Sequence, residues 1–282
     1  MKKRSIFTVC ICVLLCLVTV LGGCDDGGSK RRPNRNDNDA FVPIIGSGVQ
    51  TNTSETTENK KTDGKYSKRV AITYDDGPHV TRTAKIVDEL DKYGYHATFF
   101  VVGNRVDGKV YSGGDAMQYA VKHGNEIGIH GYTHDERYYY DVCEESRYKS
   151  ELSLTHSAIR NQISGYNVRL MRPIGGKITD ARVQNSQYSV IMWDVDSEDW
   201  KYKYSNDTDE ATKQENLEMI VNKVMSGVED GSIILMHDIY LSTYDATVII
   251  LKRLYEQGYD VVTVSELLGS DMSAGRKYSR GN

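Results

Sequence analysis

The chain predicts an α/β fold in which a largely parallel sheet closes, or nearly closes, into a barrel. Short apolar runs alternate with helix-period segments from Lys68 onward, the pattern of successive β/α units. No internal repeat of solenoid length accompanies them, which favours a barrel over an array. The unusual polar residues complete the argument. Asp75, Asp76, His130, Arg172, Asp196, Asp199 and His237 all follow apolar runs. In parallel β/α architectures the loops after the strands' C-terminal ends converge on the active site.

Seven strands are expected, at Arg69–Thr73, Ala97–Val102, Glu126–Ile129, Val168–Met171, Val190–Trp193, Ser232–Met236 and Asp260–Thr263. Ile86, Leu90 and Tyr93 before Gly94, and Leu217, Ile220, Val221 and Val224 before Gly227, are 3.6-period stripes with glycine stops. The segment Asp141–Gly165 is long enough for the largest helix, with Leu152, Ile159 and Ile163 inward. Another helix runs through Ile250, Leu251 and Leu254 to Gly258.

The N-terminus reads as a targeting segment. Lys2-Lys3-Arg4 is a positive region, Ile6–Leu21 is apolar, and Leu21-Gly22-Gly23-Cys24 closes it with small residues before a cysteine. The pattern resembles a bacterial lipoprotein signal, against the alternative of an uncleaved anchor. On that reading residues 1–23 are removed, and lipid on Cys24 holds an exported protein at the outer face of the cell membrane. Residues 24–66, mostly Gly, Ser, Thr, Asn, Asp and Lys apart from the apolar Phe41–Ile45, form a solvated tether. Residues 67–270 form the folded domain and 271–282 a tail. Cys10, Cys12 and Cys16 leave with the signal, so Cys143 stands alone and no internal disulfide forms.

Composition narrows the function classes. With 39% hydrophobic and 26% charged residues the chain is ordinary for a soluble domain. A net charge of −4 offers no basic face for nucleic acid. Tyr is used 20 times against 4 Phe and 2 Trp, so many rings carry a hydroxyl able to work at a wet surface, although any single one fits a half-buried structural place. A monomer is expected.

The chemistry centres on Thr73-Tyr74-Asp75-Asp76-Gly77-Pro78. Alone, Asp-Gly-Pro is turn chemistry. After a strand it lets two adjacent carboxylates overlook one pocket, one as metal ligand and the other as base. His130 and His134 stand four residues apart in His-Gly-Tyr-Thr-His, so one helical turn would put both imidazoles on one side. With Asp76 they make a two-histidine, one-carboxylate set that leaves coordination positions for water and substrate.

These motifs, with Arg172-Pro-Ile-Gly175-Gly176, Asp196-Ser-Glu-Asp199-Trp200 and Leu235-Met-His237-Asp238, resemble the NodB-type polysaccharide deacetylases, carbohydrate esterase family 4, over about Lys68–Leu268. The resemblance implies a distorted (β/α)7 barrel and a divalent metal, usually zinc with Co2+ or Ni2+ as alternatives, on Asp76, His130 and His134. It further implies Asp75 as general base with Arg172 paired to it, and His237 as general acid held by Asp199. A backbone N–H of the Arg172 loop, at Gly175, would meet the oxyanion, with Trp200 and Leu235 along the substrate path.

One departure stands out. The third motif in such enzymes usually reads Arg-Pro-Pro-aromatic, whereas Ile174 and Gly175 stand here. The missing ring predicts a wider groove, suited to a bulky peptide-bearing glycan. His79, His96, His123 and His156 lack motif partners and read as ordinary surface or core residues. Tyr138-Tyr139-Tyr140 either stacks on a glycan or packs a loop. The expected activity is removal of N-acetyl groups from an extracellular glycan, N-acetylglucosamine of peptidoglycan foremost. An O-acetyl esterase of xylan and a catalytically silent glycan-binding lipoprotein are the alternatives.

Overall fold

β1 (Lys68–Asp75) is the strand on which the sheet is built, and its last six residues are buried. The computed structural model describes residues 67–109 and 113–281. The expected signal, the tether, Cys24 and Phe41–Ile45 lie outside the described residues. The remaining strands are β2 (Thr98–Val101), β3 (Glu126–Ile129), β4 (Leu170–Met171), β5 (Ser189–Ile191), β6 (Val195–Asp196), β7 (Ile233–His237), β8 (Tyr259–Val261) and β9 (Lys277–Tyr278). They run in the order β6-β7-β1-β2-β3-β4-β5-β9, with β8 also on β1, and every pairing is parallel. The curled sheet with its helices is a distorted α/β barrel, as expected.

The helices are α1 (Arg82–Asp91), α2 (Gly103–Val106), α3 (Gly114–Lys122), α4 (Glu145–Gln162), α5 (Asp180–Gln184), α6 (Glu210–Gly227), α7 (Leu241–Glu256) and α8 (Val264–Leu268). Side-chain caps mark the starts of α5, α6 and α8. The Asp209 carboxylate accepts from Thr212 N–H at α6, and Thr263 with Glu266 forms a capping box at α8. No helix among the described residues is long and apolar enough to cross a membrane.

The period of two along β1 divides the molecule. Val70, Ile72 and Tyr74 join the large core beneath the helices, with Ile86, Leu90, Ile250 and Leu254. Ala71 faces the other way, into a smaller cluster with Phe100, Leu170, Ile191, Ile233 and Val264. Thr73 and Asp75 continue on that inner face and meet Arg172 there. Apolar side chains thus fill one part of the barrel interior, and the polar site occupies the same face at the C-terminal end of β1.

Two expectations about the strands need correction. Residues 271–282, expected as a tail, supply β9, which pairs with β5, while Arg280 bridges Ser232 and Gly281 N–H donates to Gly231 O at 2.7 Å. β6 was also absent from the seven expected strands. Both are two residues long, too short for a period to register, and only their neighbours in the sheet define them.

Candidate active site and metal centre

The register of the sheet assembles the site. Asp75 and His237 are direct partners at the ends of β1 and β7, so base and acid candidates emerge side by side from adjacent strands. On the far side of β2, His130 leaves β3 with its N–H on Val101 O at 2.9 Å, and Arg172 leaves β4 with its N–H on Ile129 O at 2.8 Å.

Asp76, His130 and His134 bring one ligand atom each to within 4.8 Å of one another. His134 Nε2 is 2.9 Å and His130 Nε2 3.4 Å from Asp76 Oδ1. These approaches are not aligned as hydrogen bonds, since Asp76 Oδ1 is buried and without a hydrogen-bond partner. Ligand atoms around a tetrahedral zinc with bonds of about 2.0–2.1 Å stand roughly 3.3 Å apart, with lone pairs aimed at a common point. An orphaned buried oxygen between two imidazole nitrogens at such spacings fits a metal site. The other nitrogen of His130, Nδ1, donates to Arg172 O at 2.9 Å, which directs Nε2 to the centre. Burial alone pushes the Asp76 carboxyl up, but His130 and His134 outweigh it and hold the group well below the carboxylate range.

The two histidines do not meet on a helical turn, contrary to the spacing argument. Residues 130–135 form a loop, with His134 at φ 53°. Asp76 is likewise left-handed at φ 70°. Two ligands in this sparsely populated region need outside support. Glu151, buried on α4, provides it for the loop: its carboxylate accepts from Tyr132 N–H at 2.7 Å and Thr133 N–H at 2.9 Å. Sequence reading missed Glu151, although its phase with Tyr148, Leu152, Thr155 and Ile159 put a carboxylate in the inward stripe of α4. At Asp76 the following Gly77 is required sterically, because a Cβ there would collide with the carboxylate of Asp238. Asp238 is itself fully buried, accepts from Thr83 Oγ1, and is pushed up to about 7 by burial.

Asp75 is held from below. Arg172, fully buried, donates from Nη1 to Asp75 Oδ1 at 2.9 Å and to Thr73 Oγ1 at 2.7 Å. It also donates to Ile191 O and Met192 O, and its guanidinium lies 4.3 Å from the Phe100 ring centre. The free oxygen, Oδ2, faces His130 Nε2 at 3.6 Å. Asp75 therefore presents one oxygen to the metal centre while the other is fixed.

Across the sheet Asp199 grips His237 at both ends, accepting from Nδ1 at 2.6 Å and from the backbone N–H at 2.7 Å, while Thr243 Oγ1 donates to it at 2.6 Å. Burial lowers the His237 imidazole, but the carboxylate of Asp199, with smaller contributions from Asp76 and Asp75, outweighs this and lifts it to about 10. The ring is a protonated donor at neutral pH, with Nε2 left for a reacting group.

Gly175 adopts φ 58° in a short 3-10 turn, Ile174–Gly176, and is exposed on the rim. The wider groove expected here is not what the structure has. The Tyr139 ring lies 3.3–3.4 Å from the place of a Gly175 Cβ, so a ring from the preceding β/α loop stands where the third motif lacks one. Tyr140 instead packs in the core against Tyr148, and Tyr138 stacks under Arg147. Trp200 is 47% exposed at the rim, Leu235 is buried on β7, and Trp193 packs beneath, beside Arg172.

A family model described as polysaccharide deacetylase matches residues 62–189. The peptidoglycan-N-acetylmuramic acid deacetylase PdaC of Bacillus subtilis is 40% identical over 200 residues, which are 71% of this chain and 38% of PdaC. A peptidoglycan-N-acetylglucosamine deacetylase of Bacillus cereus is 32% identical over 216 residues, 71% of this chain and 88% of the relative. The structure of a family 4 acetyl xylan esterase from Clostridium thermocellum, in complex with a cobalt ion, matches at TM-score 0.64 and 28% identity over 76% of this chain and 98% of that one. The chain spans about two fifths of the length of PdaC. On these similarities, the chain belongs to the polysaccharide deacetylase family.

Proposed function

We propose that this protein is a metal-dependent hydrolase that removes N-acetyl groups from an extracellular glycan, with N-acetylglucosamine residues of peptidoglycan as substrate. The observation that carries the reading is the register pair Asp75 and His237, a carboxylate fixed by Arg172 and an imidazole gripped by Asp199, beside the Asp76–His130–His134 cluster. A protein that only bound glycan would not need base, acid and ligands in one arrangement.

A divalent ion on Asp76, His130 and His134, with zinc the proposed metal and cobalt or nickel able to take the same ligands, supplies Lewis acidity toward water and the acetyl carbonyl. Asp75 Oδ2 takes the proton of the attacking water, while Arg172 fixes its orientation. Gly175 N–H donates to the oxygen on which negative charge develops. His237 Nε2 protonates the departing amine, and Asp199 sets its tautomer and holds the charge. Leu235 and Trp200 line the path of the acetyl group and the sugar, and Tyr139 takes the wall position beside Gly175.

The peptidoglycan assignment rests on the relatives named above and on the proposed lipid anchor at Cys24. If residues 24–66 act as the proposed tether, a coil of about 40 residues would reach on the order of 35 Å and keep a monomeric domain near the wall. The rim at Gly175 gives no support to a bulky substrate, because Tyr139 stands beside it. Similarity to an acetyl xylan esterase keeps O-deacetylation as the second reading. Acetate release from peptidoglycan, chitin oligomers and acetylated xylan, with metal content measured on the same sample, decides between them. Faster release from xylan than from every N-acetylated substrate overturns the proposal.

A further inference from the structure

On the His237 side of the site, an open cavity of about 480 Å3 is lined by Arg82, Lys203, Tyr204, Ile239, Tyr240 and Leu241 among others, and no carboxylate lines it. It adjoins the proposed acid: the Tyr240 ring is 6.0 Å from that of His237. The two cations enter it without ion pairs among the described residues. Lys203 Nζ lies 5.6 Å from the Tyr240 ring centre, whereas Lys201 and Lys223 both pair with Glu198. Arg82, half-buried, donates to Ile239 O at 3.2 Å and touches His79, which burial and Arg82 lower to about 4 and so keep neutral.

Of the acids packed around the cavity, buried Asp238 acts on Arg82 through its charge but forms no ion pair with it, and the others are engaged elsewhere. Asp238 accepts from Thr83, Asp245 accepts from Tyr204 Oη at 2.6 Å, Asp209 caps α6, and Glu210 pairs with Lys213 at 2.7 Å. The first turn of α7 begins at Leu241 with no side-chain cap, which adds a partial positive charge to the same wall. An anion entering a concavity lined by two cations and no carboxylate is held by charge-assisted hydrogen bonds.

We propose that this cavity is a carboxylate subsite through which the protein selects acidic N-acetylated glycans over neutral ones. The inference rests on the deacetylase reading. In peptidoglycan the carboxylate is that of the lactyl ether or of the attached peptide; Arg82 and Lys203 hold it while Tyr240 and Tyr204 offer ring faces to the adjoining sugar.

The test is calorimetric binding of four tetrasaccharides to the full-length, zinc-loaded protein: chitotetraose, a peptidoglycan tetrasaccharide with free lactyl carboxylates, its methyl ester, and the same glycan bearing peptide. The free acid is expected to bind about tenfold more tightly than its ester and than chitotetraose. Tighter binding of the peptide-bearing glycan than of the free acid identifies the peptide as the source. The acid-to-ester ratio is expected to shrink at 0.5 M salt and to collapse toward one in Lys203→Gln, an exposed position that leaves folding intact, and in Arg82→Gln. A wild-type ratio near one, or a wild-type ratio retained in Lys203→Gln, overturns the subsite. Absence of acetate release from all four overturns the deacetylase reading instead, and the binding ratio is read independently of it.

Discussion

Replacing Asp199 by Asn isolates what holds the proposed acid in its protonated form. Asp199 accepts from both His237 Nδ1 and its backbone N–H, and is the largest of the charges that lift a buried imidazole from 6.5 to about 10. Asn keeps an acceptor for the backbone N–H or Thr243 but removes the charge, so burial then carries the imidazole to its ordinary value or lower. At pH 8 a group titrating near 10 is about 99% protonated, and one near 6.5 about 3%. The loss of acid alone is therefore about 30-fold at pH 8. Asp75 and Asp76 also raise His237, and a bound dication offsets their share, so the alkaline limb of the loaded enzyme lies below 10 while the Asp199 contribution persists. Asp199→Asn is expected to lower the alkaline limb of kcat/KM by two units or more, and most of the lost rate returns at pH 6. The assay is acetate release from a chitin oligomer between pH 5 and 10. A loss of equal size at every pH would refute the electrostatic role and leave only a structural one. The sign for stability is the same: a raised folded-state value stabilises fully below about pH 6.5 and fades as pH rises through 10.

Other perturbations separate the remaining parts. His130→Ala or His134→Ala should empty the metal site, read as metal per chain by mass spectrometry, because two ligands hold a divalent ion poorly. Stoichiometric metal in both variants contradicts the ligand set. Asp75→Asn should keep the metal yet lose about 10²- to 10⁴-fold in acetate release, as expected for a base rather than a ligand. Glu151→Gln retains one acceptor oxygen but loses the charge paired with Arg147, and should weaken metal affinity about tenfold in chelator competition while circular dichroism is unchanged. Cys24→Ser should move the protein from washed membranes to the soluble fraction, and retention there would favour a spanning anchor over lipid.

Strand-end chemistry was legible in the linear chain because both of its signals are local. An apolar run marks where a strand ends, and an acid, imidazole or guanidinium directly after it marks what that end presents. Asp75, Asp76, His130, Arg172 and His237 each satisfied that rule, and the structure brings all five to one rim. The expected helices α4, α6 and α7 were legible for the same reason, since Leu152, Ile159, Ile220, Val224, Ile250 and Leu254 recur at the helical period and all are buried.

What tertiary structure decided depends on elements far apart in sequence. The spacing of His130 and His134 suggested a helical turn, but their convergence comes from a left-handed loop tied down by Glu151, about twenty residues away. Gly175 suggested an open groove wall, and the space is taken by Tyr139 from another β/α loop, a contact no local pattern encodes. β9 and the bridge at Arg280 arise in a stretch too short and polar to show a period, so only the edges presented by β5 and Ser232 make strand of it. The pairing of Asp75 with His237 likewise depends on β1 and β7 being neighbours in register, although 162 positions separate them. The sequence determined which chemical groups stand at strand ends, because that is written in adjacent residues. The three-dimensional packing decided which groups meet, because side-chain contacts depend on strand order, register and loop path, and these are settled by the sheet as a whole.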